Sequence, residues 1–287
     1  MRPRRIVPAI VSSCAAVLPA VAEPLLTDTI PAYVAAAVAD PSRPDADRRR
    51  DVDRRPAQVI AFAEVKPGDK VADFNPGKGY FTRILCKVVG TEGRVYAIAL
   101  ARPTGTTAAP AAESQATAAE SSGQPCTNVT NSTLQPHLRP APELHSDSGD
   151  PGWVYEYWSS SPAAESFAAP EPLDLIWTSE SYHDLHNKGF GSPDMLVVDK
   201  ALLAALRPGG ILVIEDHAAA AGSGTRDTAS LHRIAPQQVK EEVTQAGFVF
   251  VGESDVLHHA DDRHTAKAHD MHDKTDRFLL KFRRPEP

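Results

Sequence analysis

The chain has 287 residues, enough for one α/β domain with a sizeable core or at most two small ones. Its formal net charge is −7, which argues against DNA or RNA as the main partner, because backbone binding rests on Lys and Arg neutralising phosphates. The three cysteines, Cys14, Cys86 and Cys126, are too few for a zinc ribbon or a disulfide framework and allow one bridge at most.

Arg2, Arg4 and Arg5 open the chain, an apolar run from Ile6 to Val21 follows, and Ala20-Val21-Ala22 supplies the small residues a signal peptidase wants. Residues 1–22 therefore read as an export signal cleaved after Ala22, which places the protein in the periplasm or outside the cell. The run is short and broken by Pro8 and Pro19, so a stable membrane span is not expected. Val11-Ser12-Ser13-Cys14 offers a rival reading, a lipoprotein box with an acyl anchor on Cys14.

Residues 23–55 divide into a short alanine-rich helix, Ile30 to Ala39, and a stretch dense in Asp and Arg, Asp40 to Arg55. That stretch is either a solvated connector, as charge runs usually are, or a lid over a binding mouth. Residues 56–287 carry the main domain. Pro56 suits a first helical turn, with Val59, Ile60, Phe62 and Ala63 as its apolar face. Lys70 to Phe74 reads as a buried strand, Asn75 to Gly79 as a glycine-bearing loop, Tyr80 to Val89 as a helix and Arg94 to Leu100 as a second strand. A strand, a glycine loop, a helix and a strand in this order open a doubly wound sheet.

Residues 102–172 break the pattern with Ala, Pro, Ser and Thr tracts that look like flexible linker. Asn128-Val129-Thr130 and Trp153 to Trp158 are the strand-like islands in it. Alternation then resumes. Leu173 to Thr178 is a short buried strand, and Asp194 to Leu206 a helix with Met195, Val198, Leu202 and Leu206 along one stripe. Arg207 to Gly210 stops that helix, and Ile211 to Glu215 is a β-branched strand. Pro236 to Ala246 is a helix ended by Gly247, and Phe248 to Glu253 and Arg277 to Phe282 are the last two strands.

The glycine loop carries specific mechanics. Asp73 ends a strand at the carboxyl edge of the sheet, where ligands of open α/β sheets sit. Gly77 and Gly79 let backbone approach a ligand without a Cβ in the way, and the next helix turns its N-terminal N–H groups toward an anion. Asp73-Phe74-Asn75-Pro76-Gly77-Lys78-Gly79 resembles the first motif of the class I S-adenosylmethionine-dependent methyltransferases, an acid followed by alternating glycines. Leu206-Arg207-Pro208-Gly209-Gly210 ahead of Ile211 to Ile214 resembles the approach to that family's fifth strand, and Asp276 to Phe282 its last strand. Tyr182 to His186, Asp216-His217, Gly222-Ser223-Gly224, Asp227-Thr228 and Leu231 to Ile234 resemble a bacterial group of predicted methyltransferases within it.

The resemblance implies a Rossmann-like, seven-stranded, mostly parallel sheet with an antiparallel last strand. It implies S-adenosylmethionine as cofactor and a small-molecule methyl acceptor, and it assigns cofactor contact to Asp73, Asn75, Gly77, Gly79, Tyr80 and Ser179. The chain departs from the family twice. Asn75 stands where the first glycine usually is, and Ala97-Ile98-Ala99-Leu100 lacks the acid that usually holds the cofactor ribose.

Two strand ends supply the catalytic candidates. His183 and Asp184 follow the fourth strand, with Tyr182 and His186 beside them, and His217 follows Asp216 at the end of the fifth. His183 is the candidate general base, although in-line methyl transfer also proceeds by positioning alone. Asp216 reads equally as a cap for backbone N–H groups, and His232 and Arg233 are weaker candidates. His258, His259, His264, His269 and His272 lie between the last two strands among several aspartates. They read as a solvated loop without a tight ligand pattern, so no metal ligands are assigned, although His269 and His272 would share a face if that stretch were helical. Two rival readings remain beside the enzyme: an exported binding protein on the same fold, and a periplasmic metal-binding protein using the histidine-rich loop.

Overall fold

The computed structural model describes residues 30–100, 156–158, 167, 169, 171–188 and 192–287. The leader with its Cys14, the Asn128 to Thr130 island, Cys126 and most of the 102–172 insertion lie outside the described residues.

Two helices precede the domain: α1 (Ala32–Ala39) and α2 (Asp45–Arg54). The charged stretch is therefore largely helical rather than a connector, because its charges have partners elsewhere in the fold. Then come α3 (Pro56–Ala63), β1 (Lys70–Phe74), α4 (Tyr80–Val89), β2 (Arg94–Leu100), β3 (Glu156–Trp158), β4 (Leu173–Ser179), a 3-10 turn (His183–His186), α5 (Met195–Ala205) and β5 (Leu206–His217). The chain ends with α6 (Thr228–Leu231), α7 (Pro236–Gln245), β6 (Val249–Ser254), a second 3-10 segment (Ala268–Lys274) and β7 (Arg277–Arg283).

The strands form a sheet in the order β3-β2-β1-β4-β5-β7-β6. β1 to β5 pair in parallel, and β7 runs antiparallel to both β5 and β6. The expected mostly parallel α/β sheet is present. The chain steps outward from β1 through β2 to β3 and then returns to β4 on the other side of β1. That reversal opens a crevice beyond the carboxyl ends of β1 and β4, where ligands of such sheets bind.

Alternation along the strands divides the core into two layers. Phe74, Ile98, Ile176, Leu212, Ile214 and Phe282 face α5 and α7, through Val198, Leu202, Val239 and Val243. Val71, Val95, Leu175, Trp177, Val213 and Leu279 face α3 and α4, through Val59, Ile60, Phe81, Ile84 and Leu85. Cys86 is buried on this second side and disulfide-bonded, with its partner outside the described residues. Among the described residues, no helix is long and apolar enough to cross a membrane.

One expected turn is a strand. Arg207 to Gly210 belongs to β5, which starts where α5 ends; Gly209 N donates to Arg284 O and Arg284 N donates to Gly210 O. The pairing with β4 shifts register between Leu173 and Leu175 to absorb the extra residues. A Cβ on Gly210 would stand 2.8 Å from Arg207 O, so only glycine fits this bulge.

Candidate functional site

The crevice is bounded first by the loop after β1. Asn75, Gly77 and Gly79 all have left-handed backbone, at φ 57°, 57° and 74°. Asn tolerates that region better than other side chains, and Asn75 N donates to Ile98 O, which ties the loop to β2. A Cβ on Gly77 would meet no atom within 4 Å, so open space lies over the loop. Gly79 precedes α4, whose first turn has no side-chain cap. Asp73 is buried, and its carboxylate accepts a 2.6 Å hydrogen bond from Thr82 Oγ1. Burial lifts its pKa to about 7, against the opposing pull of Thr82, Arg54 and Arg83.

Helix α2 lies across the same edge. Asp47 takes Arg83 at 2.7 Å, Asp51 accepts the Tyr80 hydroxyl at 2.6 Å, and Arg54 Nη2 reaches Glu180 at 2.6 Å. Arg43 holds Asp51 by two 2.8 Å hydrogen bonds. Tyr80 is buried beneath the guanidinium groups of Arg43, Arg50 and Arg54, the last 4.7 Å from its ring centre. Burial and the Asp51 carboxylate push its phenol pKa up. The charged stretch is thus a helix ion-paired to this edge. The Tyr80 hydroxyl thus holds α2 through Asp51.

An ion-pair network fills the ends of β4, β5 and β7. Ser179 Oγ donates to Glu215 Oε2 at 2.9 Å, so its hydroxyl is committed to the neighbouring strand. Arg277 Nη1 lies 2.8 Å from Glu180 and 3.0 Å from Glu215, and its Nη2 donates to Asp53 O and Asp273 O. Burial alone would raise Glu180, but Arg54, His217 and Arg277 hold it well below the usual carboxylate range. Glu215, wholly buried, is pushed up by desolvation against the pull of Arg277 and Arg54. None of Arg54, Glu180, Glu215 or Arg277 stood out in the sequence, where each is one more charge in a charged stretch or at a strand end.

The strand-end histidines do come together. Asp216 accepts from the backbone N–H of His183 and of His217, at 2.7 Å each, and its Oδ1 is 2.8 Å from His183 Nδ1. It is thus both the cap and the side-chain partner. His183 Nε2 faces Asp184 Oδ1 at 3.3 Å and His232 Nδ1 at 3.4 Å. Burial alone would lower the His183 pKa, but Asp216 and Asp184 lift it to about 10. Both carboxylates thus favour the protonated imidazole over the neutral one. His217 hydrogen-bonds Thr275 Oγ1 at 2.8 Å, and burial lowers its pKa to about 4. It stays neutral. His186 turns away to Glu242, and Tyr182 donates to Asp199 and Glu242 inside the core. Arg233 is buried against Asp262 and the carbonyl of Ala218.

The histidine-rich segment is structured. Asp276 holds both His258 Nδ1, at 2.8 Å, and His264 Nε2, at 2.9 Å. The segment 268–274 is kinked at His272, whose backbone is left-handed, so His269 and His272 do not share a helix face. His269 instead packs its ring 4.2 Å from that of His232. A cavity of about 500 Å³ opens between α2 and this segment, lined by Arg49, Arg50, Asp53, His272 and Lys274 among others. No strand-end histidine lines it.

No known family model and no curated protein matches the chain. Solved structures of similar fold include an S-adenosylmethionine-dependent methyltransferase from Aquifex aeolicus, 17% identical, with TM-score 0.45 over 84% of this chain and 98% of that one. The N-methyltransferase NodS from Bradyrhizobium japonicum WM9 is 15% identical, with TM-score 0.46 over 84% and 98%. A methyltransferase from Mesorhizobium loti is 16% identical, with TM-score 0.46 over 81% and 98%. A functional reading has to come from the crevice itself.

Proposed function

We propose that the protein is an S-adenosylmethionine-dependent methyltransferase acting on a small acceptor, exported by its N-terminal segment. The observation that supports this most is the loop after β1: three left-handed residues beside a topological switch, with open space over Gly77. That cradle fits the amino-acid part of the cofactor. The backbone of Gly77 and Gly79 would sit under it, the uncapped start of α4 would face its carboxylate, and Asp73 would balance its ammonium. β2 offers no acid for the ribose hydroxyls, so binding rests more on the loop than the family resemblance implies. When bound, the cofactor supplies an electrophilic methyl group on a sulfonium. The chain's own contribution is then to hold the acceptor in line and to keep water out, with α2 as cover. His217 and His183 would orient polar atoms of the acceptor.

A second reading, a binding protein on the same fold, draws on the ion-paired cover itself, because Arg54, Glu180 and Arg277 fasten α2 across the strand ends. One experiment separates the two. S-adenosylhomocysteine should raise the melting temperature of the full chain by mass action, and Gly77→Val should abolish that rise while the fold survives. No shift in the wild type at about a hundred times an ordinary cofactor Kd, where stabilisation reaches about 2.7 kcal/mol, refutes cofactor binding.

A further inference from the structure

Beyond the ends of β4 and β5, three side chains from two separate segments aim ligand atoms at one point. His183 begins the 3-10 turn after β4, and Asp184 is next to it. His232 arrives from the other side, directly after α6, with left-handed backbone at φ 55°. One ligand atom from each lies within 4.8 Å of the other two. Individually, His183 Nε2 is 3.3 Å from Asp184 Oδ1 and 3.4 Å from His232 Nδ1, and His232 Nδ1 is 3.7 Å from Asp184 Oδ1.

Those separations have a plain geometric meaning. A tetrahedral ion with bonds of about 2.0–2.1 Å holds its ligand atoms about 3.3 Å apart. Two of the three spacings match that edge, and the third needs a few tenths of an ångström of side-chain movement. The supporting shell is also in place. Asp216, fully buried, takes His183 Nδ1 at 2.8 Å and fixes the backbone of both His183 and His217. With Nδ1–H committed to a carboxylate, Nε2 is the nitrogen left for an ion, which would displace any proton there, the arrangement that orients metal-binding histidines elsewhere. His269 packs its ring 4.2 Å from that of His232.

We propose that His183, Asp184 and His232 form a binding site for one divalent transition-metal ion of the zinc class, with a fourth position open to water or a ligand. Two imidazoles and one carboxylate suit zinc, cobalt or nickel, and not magnesium or calcium, which want oxygen alone. Three protein donors and one open position is the pattern of a site that binds a further molecule rather than one that only holds the fold. The site stands on these side chains whether or not the chain transfers methyl groups.

The test uses the full chain, stripped with a chelator and titrated near neutral pH with Co²⁺ and then Zn²⁺, followed by visible absorption and calorimetry. One equivalent of Co²⁺ should give a tetrahedral spectrum, and one equivalent of Zn²⁺ should displace it. Asp184→Asn and His232→Asn should each weaken binding at least about tenfold, and Asp216→Asn, which acts through His183, about 10–100-fold. Asn at 232 suits the left-handed backbone, so metal-free melting should match the wild type. His258→Ala with His264→Ala should leave binding unchanged. No binding at about 100-fold excess over a micromolar Kd, binding that survives both Asp184→Asn and His232→Asn, or binding lost with His258 and His264 overturns the proposal. The S-adenosylhomocysteine melting shift, run beside it, shows separately whether the cofactor reading holds.

Discussion

The carboxyl edge of the sheet has two halves built on different principles. Around Asn75 to Gly79 the working surface is backbone: left-handed residues, an uncapped helix start and space where side chains would be. Around the ends of β4, β5 and β7 it is almost all charged side chain, with Arg54, Glu180, Glu215, Arg277 and Asp273 joined in one network. The backbone half is tied to β2 by one main-chain hydrogen bond, and the proposed cofactor would lie over it. The charged half is stable only while every partner is present, because a buried charge without its counter-ion is costly. On the proposed function the first half would accommodate the cofactor, and the second fastens α2 at the strand ends.

The largest effect should come from breaking the charged half at its centre. Arg277→Met leaves Glu215 wholly buried without its cation and removes the donors to Asp53 O and Asp273 O. Urea unfolding should show a loss of about 3–5 kcal/mol, and adding Glu215→Gln should recover part of it, because the stranded charge is then gone. A loss below about 1 kcal/mol, the size of an exposed pair, would mean that the network is not the structural centre of this edge.

A smaller effect should follow at the fastening. Arg54→Met removes the 2.6 Å contact with Glu180 and the 3.4 Å contact with Asp273, yet Glu180 keeps Arg277. About 1–3 kcal/mol is expected from loss of a charged hydrogen bond. Because α2 also holds through Asp47 and Asp51, the clearer readout is local: trypsin should cut sooner within Asp45–Arg54, with the rest of the domain resistant. Unchanged cleavage would show that α2 is held by its other contacts and that Arg54 does not control the cover.

The two halves also differ in how far the sequence discloses them. The β1–loop–α4 unit was legible residue by residue, because its signals are local: a buried run, a glycine cluster, and the Phe81, Ile84, Leu85, Val88 stripe. The His183 and Asp216 positions were legible as strand ends, but not their bond across 33 positions. The network around Arg277 was invisible, since its members are separated by up to 224 positions and carry no periodicity. Helix α2 misled for the same reason. Asp45 to Arg54 has almost no apolar face, and it is helical because Arg83, Tyr80, Glu180 and Asp273 receive its charges. The Arg207 to Gly210 run misled in the other direction: its composition says turn, and only pairing with the chain end at Arg284 makes it strand.

The gentlest perturbation tests the backbone half at its one buried acid. Asp73 is 2% exposed, its carboxylate accepts from Thr82, and burial lifts its pKa to about 7 from the ordinary 3.8. A carboxyl whose folded pKa is raised binds its proton more tightly in the native state. Its contribution to stability is therefore greatest below about pH 4, is lost as pH rises through about 7, and is constant above that. Asp73→Asn removes the ionising group while keeping an oxygen for Thr82. Relative to wild type the variant should gain about 1–2 kcal/mol between pH 4 and pH 8, measured as the change in urea midpoint, less than the full shift implies because the amide must find a partner for its own N–H groups. A cofactor ammonium held beside Asp73 would favour the ionised form, so S-adenosylhomocysteine should flatten that pH dependence in the wild type and bind more weakly to Asp73→Asn. If the ligand leaves the slope untouched, Asp73 serves the turn through Thr82 and not the crevice, and the backbone half works by its loop alone.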